Sequence, residues 1–216
     1  LQRESNRYFG YTAKETLDFI QSLYEQKLVT YPRTDSQYLT EDMEQTAQQA
    51  IAMACEKYGF SSVYPQESDV KRIMDNRKVS DHHAIIPTAE LKDCDLQKLS
   101  KGEQDILQLI SVRLLCAGAQ KHVFQETEVR VSCAGETFQT KGKAIQEMGW
   151  KAVEAAFRER LGTKSRKDGE ERTIPTVTEG QTFHPVTASI SEHYTTPLKP
   201  YSEDLSLIHI SEPTRP

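Results

Sequence analysis

Basic charge is what this chain most lacks. Its 216 residues hold 27 lysines and arginines against 32 aspartates and glutamates, a formal net charge of −5. A protein that grips nucleic acid through bulk charge runs the other way. Any such contact here must therefore use a local patch on an otherwise acidic surface. Cysteine is scarce and scattered: Cys55, Cys94, Cys116 and Cys133 form no CxxC pair. That argues against a zinc site and a disulfide framework, and fits a reducing cytoplasm. No apolar run approaches the ~20 residues that span a bilayer, and the mean hydropathy is −0.64. No signal peptide, internal repeat or low-complexity tract is visible, so no membrane partner is expected.

What is present is a set of well-punctuated helices. Thr12-Ala13-Lys14-Glu15 is a capping box, and Leu17, Ile20, Leu23, Tyr24 and Leu28 then recur at helical spacing. The pattern predicts a helix of about four turns that delivers the chain to Tyr31. A second helix is expected from near Thr40, with Glu41 and Asp42 at its positive end. Its buried stripe would be Met43, Ala47, Ala50, Ile51 and Ala54, and Gly59 its stop. Ser100-Lys101-Gly102-Glu103 is another capping box. Ile106, Leu107, Ile110, Leu114 and Leu115 predict a strongly amphipathic helix behind it, ended by Gly118. The opening Leu1 to Phe9 reads as a polar, solvated stretch, and 60–76 as loop with at most one helical turn.

Beyond Gly118 the period changes to two. Thr127, Val129, Val131 and Cys133 alternate with polar residues, Ala134-Gly135 turns the chain, and Phe138 and Thr140 alternate on the return. That is a β-hairpin signal. Gly149-Trp150 reads as the close of this region, and Arg158 to Arg172 as an exposed charged loop or linker. Residues 173–183 and 186–190 read as strands.

Between the first two helices lies Leu28-Val29-Thr30-Tyr31-Pro32-Arg33-Thr34-Asp35-Ser36. Pro32 fixes its own φ and pushes Tyr31 out of the helical region. Alternation along an extended chain places Tyr31 and Arg33 on one side. A phenol and a guanidinium side by side can meet one phosphate, the first attacking phosphorus and the second taking up charge on oxygen. Thr34, Asp35 and Ser36 suit a turn or helix entry and offer further donors. The bland alternative is half-buried packing, since a phenol titrating near pH 10 is a poor nucleophile until its surroundings activate it.

Thr30-Tyr31-Pro32-Arg33-Thr34-Asp35-Ser36 resembles the active-site segment of the type IA DNA topoisomerases, closest to the bacterial topoisomerase III branch. A second matching segment, Ser80-Asp81-His82-His83-Ala84-Ile85-Ile86-Pro87-Thr88, follows in the family's order. The resemblance runs from about Leu1 to Leu205. It implies an α+β fold with a helical, winged-helix (CAP-like) tyrosine-bearing domain over 1–118. A β-rich part of an antiparallel β arch would fill 119–192, and a further helical domain would start over 193–205. Residues 206–216 resemble a translated sequencing adapter and read as a non-family tail.

In this family a tyrosine cuts one DNA strand, becomes linked to the 5′ phosphate and releases a 3′ hydroxyl. A second strand passes and the break is resealed. The resemblance makes Tyr31 the nucleophile, Arg33 the stabiliser of charge on the phosphate, and His82 a hydrogen-bond partner of that phosphate. Arg33, Thr34, Asp35, Ser36, His82 and His83 would contact DNA. The partner is single-stranded DNA, the chain a monomer, and no nucleotide cofactor is needed, because the ester keeps the bond energy. Mg2+ belongs to an acidic N-terminal domain that this sequence does not contain, and no metal ligands are expected here. The sequence starts without methionine and without that domain, so it is expected to be a piece that does not relax supercoiled DNA alone. The competing reading is a non-catalytic helical nucleic-acid-binding module, in which Tyr31 and His82 are structural. A tyrosine recombinase would need several separated arginines, and a relaxase three histidines; His82-His83 supplies two.

Overall fold

The structure is a computed structural model that describes residues 1–65, 68–162, 174, 177–184 and 190–197. Its described elements are helices α1 (Gln2–Phe9), α2 (Ala13–Glu25), α3 (Glu44–Tyr58), α4 (Lys101–Gly118) and α5 (Trp150–Arg160), and strands β1 (Val123–Cys133) and β2 (Glu136–Glu147). The arrangement is α+β, with one two-stranded antiparallel sheet among the described residues.

Both capping boxes form. The Thr12 hydroxyl accepts from the Glu15 N–H at 3.1 Å while the Glu15 carboxylate accepts from the Thr12 N–H at 2.8 Å. Ser100 and Glu103 repeat the pattern at the start of α4. A 3₁₀ turn, Glu41–Met43, leads into α3, which ends at Gly59 in the left-handed region (φ 64°), a conformation that glycine adopts without a Cβ penalty. Ala47, Ala50, Ile51 and Ala54 of the expected stripe are buried, while Met43 lies in the 3₁₀ turn and is half-buried. Leu17, placed in the stripe of α2, is instead 42% exposed.

Helix α4 departs from its expected amphipathic pattern because it is surrounded. Leu109, Val112, Leu114, Leu115 and Cys116 enter one core cluster with Ala50, Ala54, Phe60, Val153 and Phe157. Ile106, Leu107 and Ile110 enter a second with Ile20, Leu23, Leu28, Val29 and Leu91. A helix apolar on most sides is a central one.

Two stretches read as non-helical are helices. In α1, Ser5 is buried and receives the Thr16 hydroxyl at 2.9 Å. Glu4 takes a two-pronged ion pair from Arg113 of α4, the Nε arm at 2.7 Å. In α5, Trp150, Val153 and Phe157 lie at helical spacing, and Val153 and Phe157 are fully buried. The surrounding charges hide that signal in the sequence. They are not idle: Arg160 donates to the carbonyls of Tyr58 and Gly59 at the end of α3, and its guanidinium lies 4.2 Å from the centre of the Phe60 ring.

The hairpin forms with the expected turn. Cys133 pairs with Glu136 across Ala134 (φ 51°) and Gly135 (φ 86°), the two positive φ values of a type I′ turn. Both faces are largely exposed, Val129 and Val131 being half-buried. The strands expected over 173–183 are not found among the described residues there. Residues 185–189 and 198–216, including the supposed tail, lie outside the described residues. No described helix is long and apolar enough to cross a membrane.

One polar contact ties the chain's opening to α4 and makes an alkaline prediction. The Tyr11 hydroxyl donates to Asp105 at 2.8 Å, and Lys101 donates to the other carboxylate oxygen at 2.6 Å. Burial first, then the Asp105 bond, pushes the Tyr11 phenol up to about 12. A group raised in the folded state stabilises below its unfolded value near 10, and that contribution is lost as pH climbs through 12. Thermal melts from pH 9 to 12 should show a steeper fall for the unaltered chain than for Tyr11→Phe; parallel curves would mean that the contact does not set the shift.

Candidate active site

The tyrosine segment is positioned by the way α2 stops. Leu28 N–H bonds back to Leu23 C=O at 2.9 Å and Lys27 N–H to Tyr24 C=O at 2.8 Å, the two bonds of a Schellman end. Lys27 supplies its left-handed residue (φ 61°). The chain reverses there and buries Leu28 and Val29. It then meets the second motif edge to edge. Val29 pairs antiparallel with Pro87, Thr30 N–H bonds Ile86 C=O at 3.0 Å, and Thr88 N–H bonds Leu28 C=O at 3.0 Å. The Thr88 hydroxyl donates to the Lys27 carbonyl. The Thr30 hydroxyl accepts from Ile86 N–H at 3.0 Å and donates to Ala84 C=O at 3.3 Å. So the two motifs, fifty residues apart in sequence, form one short two-stranded structure.

Tyr31 and His82 meet on it. Their ring centres are 4.2 Å apart with planes inclined at 43°. Tyr24, from the last turn of α2, presents an edge to the Tyr31 ring at 5.5 Å. Tyr31 is half-buried, Pro32 buried and Arg33 exposed, as alternation along an extended segment requires. Among the described residues neither Arg33 nor Asp35 has an ion-pair partner, and both are exposed. His82 is exposed and His83 half-buried. The His83 Nδ1 lies 2.8 Å from the Ala84 carbonyl. A carbonyl only accepts, so that bond needs a proton on Nδ1.

Thr34 and Ser36 have partners within the protein. The Thr34 hydroxyl donates to the His82 carbonyl at 2.8 Å and accepts from Ser36 N–H at 3.1 Å. The Ser36 hydroxyl bonds the Lys78 carbonyl at 2.8 Å and accepts from Tyr38 N–H at 3.1 Å. Beyond them the chain regains backbone pairing, Ala84 N–H to Tyr38 C=O at 2.9 Å and a parallel bridge of Leu39 with Met74.

Sequence reasoning missed Tyr24, which it assigned to the core of α2, and the pair Tyr38 and Lys78. The Lys78 ammonium lies 3.1 Å from the Tyr38 hydroxyl and 4.2 Å from its ring centre. That bond holds Lys78 above its usual value. With its neighbour Arg77 it makes an exposed cationic pair, tempered by Asp75, which pairs with both. This is the kind of local patch that a net-acidic chain needs. Behind the segment lies a cleft of about 510 Å³, lined among others by Thr34, Ser36, Leu39, Ile86, Arg113 and Leu114. Among the described residues no three His, Cys, Asp or Glu side chains are placed to hold a metal ion.

Comparison with known proteins supplies the family. DNA topoisomerase 3 of Bacillus subtilis (strain 168) is 36% identical over 219 residues, covering 99% of this chain and 29% of that protein. DNA topoisomerase 3 of Bacillus licheniformis is 37% identical over 218 residues, with the same shares. For DNA topoisomerase 3 of Bacillus anthracis the figure is 36% over 193 residues, 85% of this chain and 25% of the relative. The chain thus spans under a third of the length of the relatives it matches. The family model described as DNA topoisomerase matches residues 1–210 of the 216, and the chain belongs to that family, on its bacterial type IA, topoisomerase III-like side.

Proposed function

We propose that this chain is the tyrosine-bearing portion of a type IA DNA topoisomerase that opens one DNA strand through a 5′-phosphotyrosine link, passes a strand and reseals the break. The observation that carries the reading is the packing of Tyr31 on His82, with Arg33 exposed two residues on. In the forward step the Tyr31 oxygen bonds to phosphorus and the bond from phosphorus to the 3′ oxygen breaks. The Tyr31 hydroxyl gives up its proton as it attacks, and the leaving 3′ oxygen takes one up, so no net proton is consumed. Arg33 and His82 face the phosphate and stabilise the charge that grows on its non-bridging oxygens, which is where preorganised donors gain most. Asp35 and His83 flank the bound strand. Reversal of the same step reseals the strand, so no nucleotide is consumed.

The substrate in this reading is single-stranded DNA, met by a monomer in the cytoplasm. The helical body is a winged-helix (CAP-like) core and the hairpin part of a β arch. In this reading Mg2+ is held by the acidic domain that precedes this region in the family. A phenol without that domain beside it has no evident activation, and the chain alone is expected not to relax supercoiled DNA.

The test is covalent trapping. The chain is mixed with the acidic N-terminal domain of a relative, Mg2+ and a labelled single-stranded oligonucleotide, then denatured. An adduct mapping to Tyr31 supports the reading. Absence of any adduct from a mixture in which both pieces demonstrably associate and bind DNA would overturn it.

A further inference from the structure

We propose that Thr34 and Ser36 are positioning residues, whose hydroxyls hold Tyr31 in register with His82 and do not contact DNA. The proposal rests on reading Tyr31 as the nucleophile. A hydroxyl has one hydrogen to give. That of Thr34 goes to the carbonyl of His82 itself at 2.8 Å, and that of Ser36 to the Lys78 carbonyl at 2.8 Å. A phosphate oxygen only accepts, so either hydroxyl must abandon a protein carbonyl in order to donate to DNA. One lone pair of each is used as well, by the N–H groups of Ser36 and Tyr38.

These bonds matter because little else holds the segment. From Tyr31 to Gln37 no backbone group bonds to another backbone group among the described residues. Packing does not wedge it from behind either, since the cleft of about 510 Å³ runs along Thr34, Asp35, Ser36 and Gln37. Thr30 pins the chain just before the tyrosine and Tyr38 just after Gln37, through ladder-like backbone bonds to Ile86 and Ala84. Across the span between them the two hydroxyls stand in for the missing ladder. Thr34 ties the residue three places beyond Tyr31 to the peptide that carries His82. The phosphate contacts then fall to Arg33 and His82, the exposed groups with donors still to give.

The test reads the ring pair directly, in the 216-residue chain without DNA. A tyrosine ring 4.2 Å away displaces the His82 imidazole resonances in NMR spectra from their free-histidine positions. Thr34→Val should move them toward the free positions with the fold retained by circular dichroism, and Thr34→Ser should restore them. In parallel, binding of a labelled oligothymidylate is followed against salt. Arg33→Ala should flatten the slope of log affinity by about 0.7, the value of one single-strand phosphate contact, and Thr34→Val should leave it unchanged. Unmoved His82 resonances in Thr34→Val would overturn the proposal, and so would a flattened salt slope in that variant. Should Thr34→Val fail to fold, Ser36→Ala is read by the same two criteria. If the chain binds no oligonucleotide at all, it is the substrate assignment that fails, and the NMR comparison still decides the positioning role.

Discussion

With phenylalanine at position 31, covalent capture of DNA is expected to vanish while the fold stays as it is. The substitution keeps the ring, and with it the edge contact to Tyr24 and the packing on His82. No hydrogen-bond partner of the Tyr31 hydroxyl is found among the described residues, so its removal orphans no buried group. Stability should change by no more than ~0.5 kcal/mol, as for a surface substitution. The reaction, in contrast, loses the atom that bonds phosphorus. Removal of the nucleophile from other covalent enzymes costs on the order of 10⁶ in rate, which places an adduct below detection on a denaturing gel. The measurement is the complemented trapping experiment, repeated with the same substitution in a full-length relative. Persistent adduct in Tyr31→Phe would assign the chemistry to another residue.

The largest effect on stability is expected at Gly149. This residue joins the end of β2 to α5 with φ 53° and ψ −137°, a region open essentially to glycine alone. A Cβ there would sit 2.3 Å from the Lys121 carbonyl oxygen and 2.5 Å from that of Gln120. Both obstacles are backbone, so no side-chain rotation relieves them. Gln120 is also fixed by the Trp150 N–H, which bonds its carbonyl at 2.9 Å. Strain of about 1–3 kcal/mol and overpacking of about 1–3 kcal/mol together give about 2–6 kcal/mol for Gly149→Ala. At 2–4 °C per kcal/mol, that lowers the melting temperature by roughly 10 °C. Gly135→Ala at the hairpin tip is the control. It has a positive φ of 86° but nothing within 4 Å of the added carbon, and about 1 kcal/mol is expected. Equal effects at the two positions would refute the steric argument.

Helices α2, α3 and α4 and the hairpin were legible because their punctuation is local. A capping box at Thr12 or Ser100, a stop at Gly59 and alternation around Ala134-Gly135 each act within a few residues. Helix α5 was not legible, because three apolar residues at helical spacing were outnumbered by charges whose targets lie elsewhere, such as the carbonyls that Arg160 caps at the end of α3. The burial of α4 on most sides depends on what surrounds it, and spacing within one helix cannot report that. At the candidate site, the residue types at Tyr31 and Arg33 pointed to phosphate chemistry, and it was the resemblance that added His82 and the second motif. The ring contact itself, and the edge of Tyr24 against it, come from a strand pairing across fifty residues. The hydroxyls of Thr34 and Ser36 were the least predictable feature. Sequence shows that a hydroxyl is present but not which acceptor takes its hydrogen.

The hairpin has a mechanical consequence. Strand β1 is 11 residues long, and at ~3.4 Å per residue the ribbon reaches roughly 37 Å. Its return strand re-enters the helical body through Gly149, wedged against two carbonyls. A rod so held at one end is a lever. A tilt of about 10° at the root carries the tip through about 6 Å, nearly two base steps of a nucleic-acid strand at ~3.4 Å each. The angle at which one residue without a side chain meets its neighbours thus fixes, at the far end, a distance measured in nucleotides.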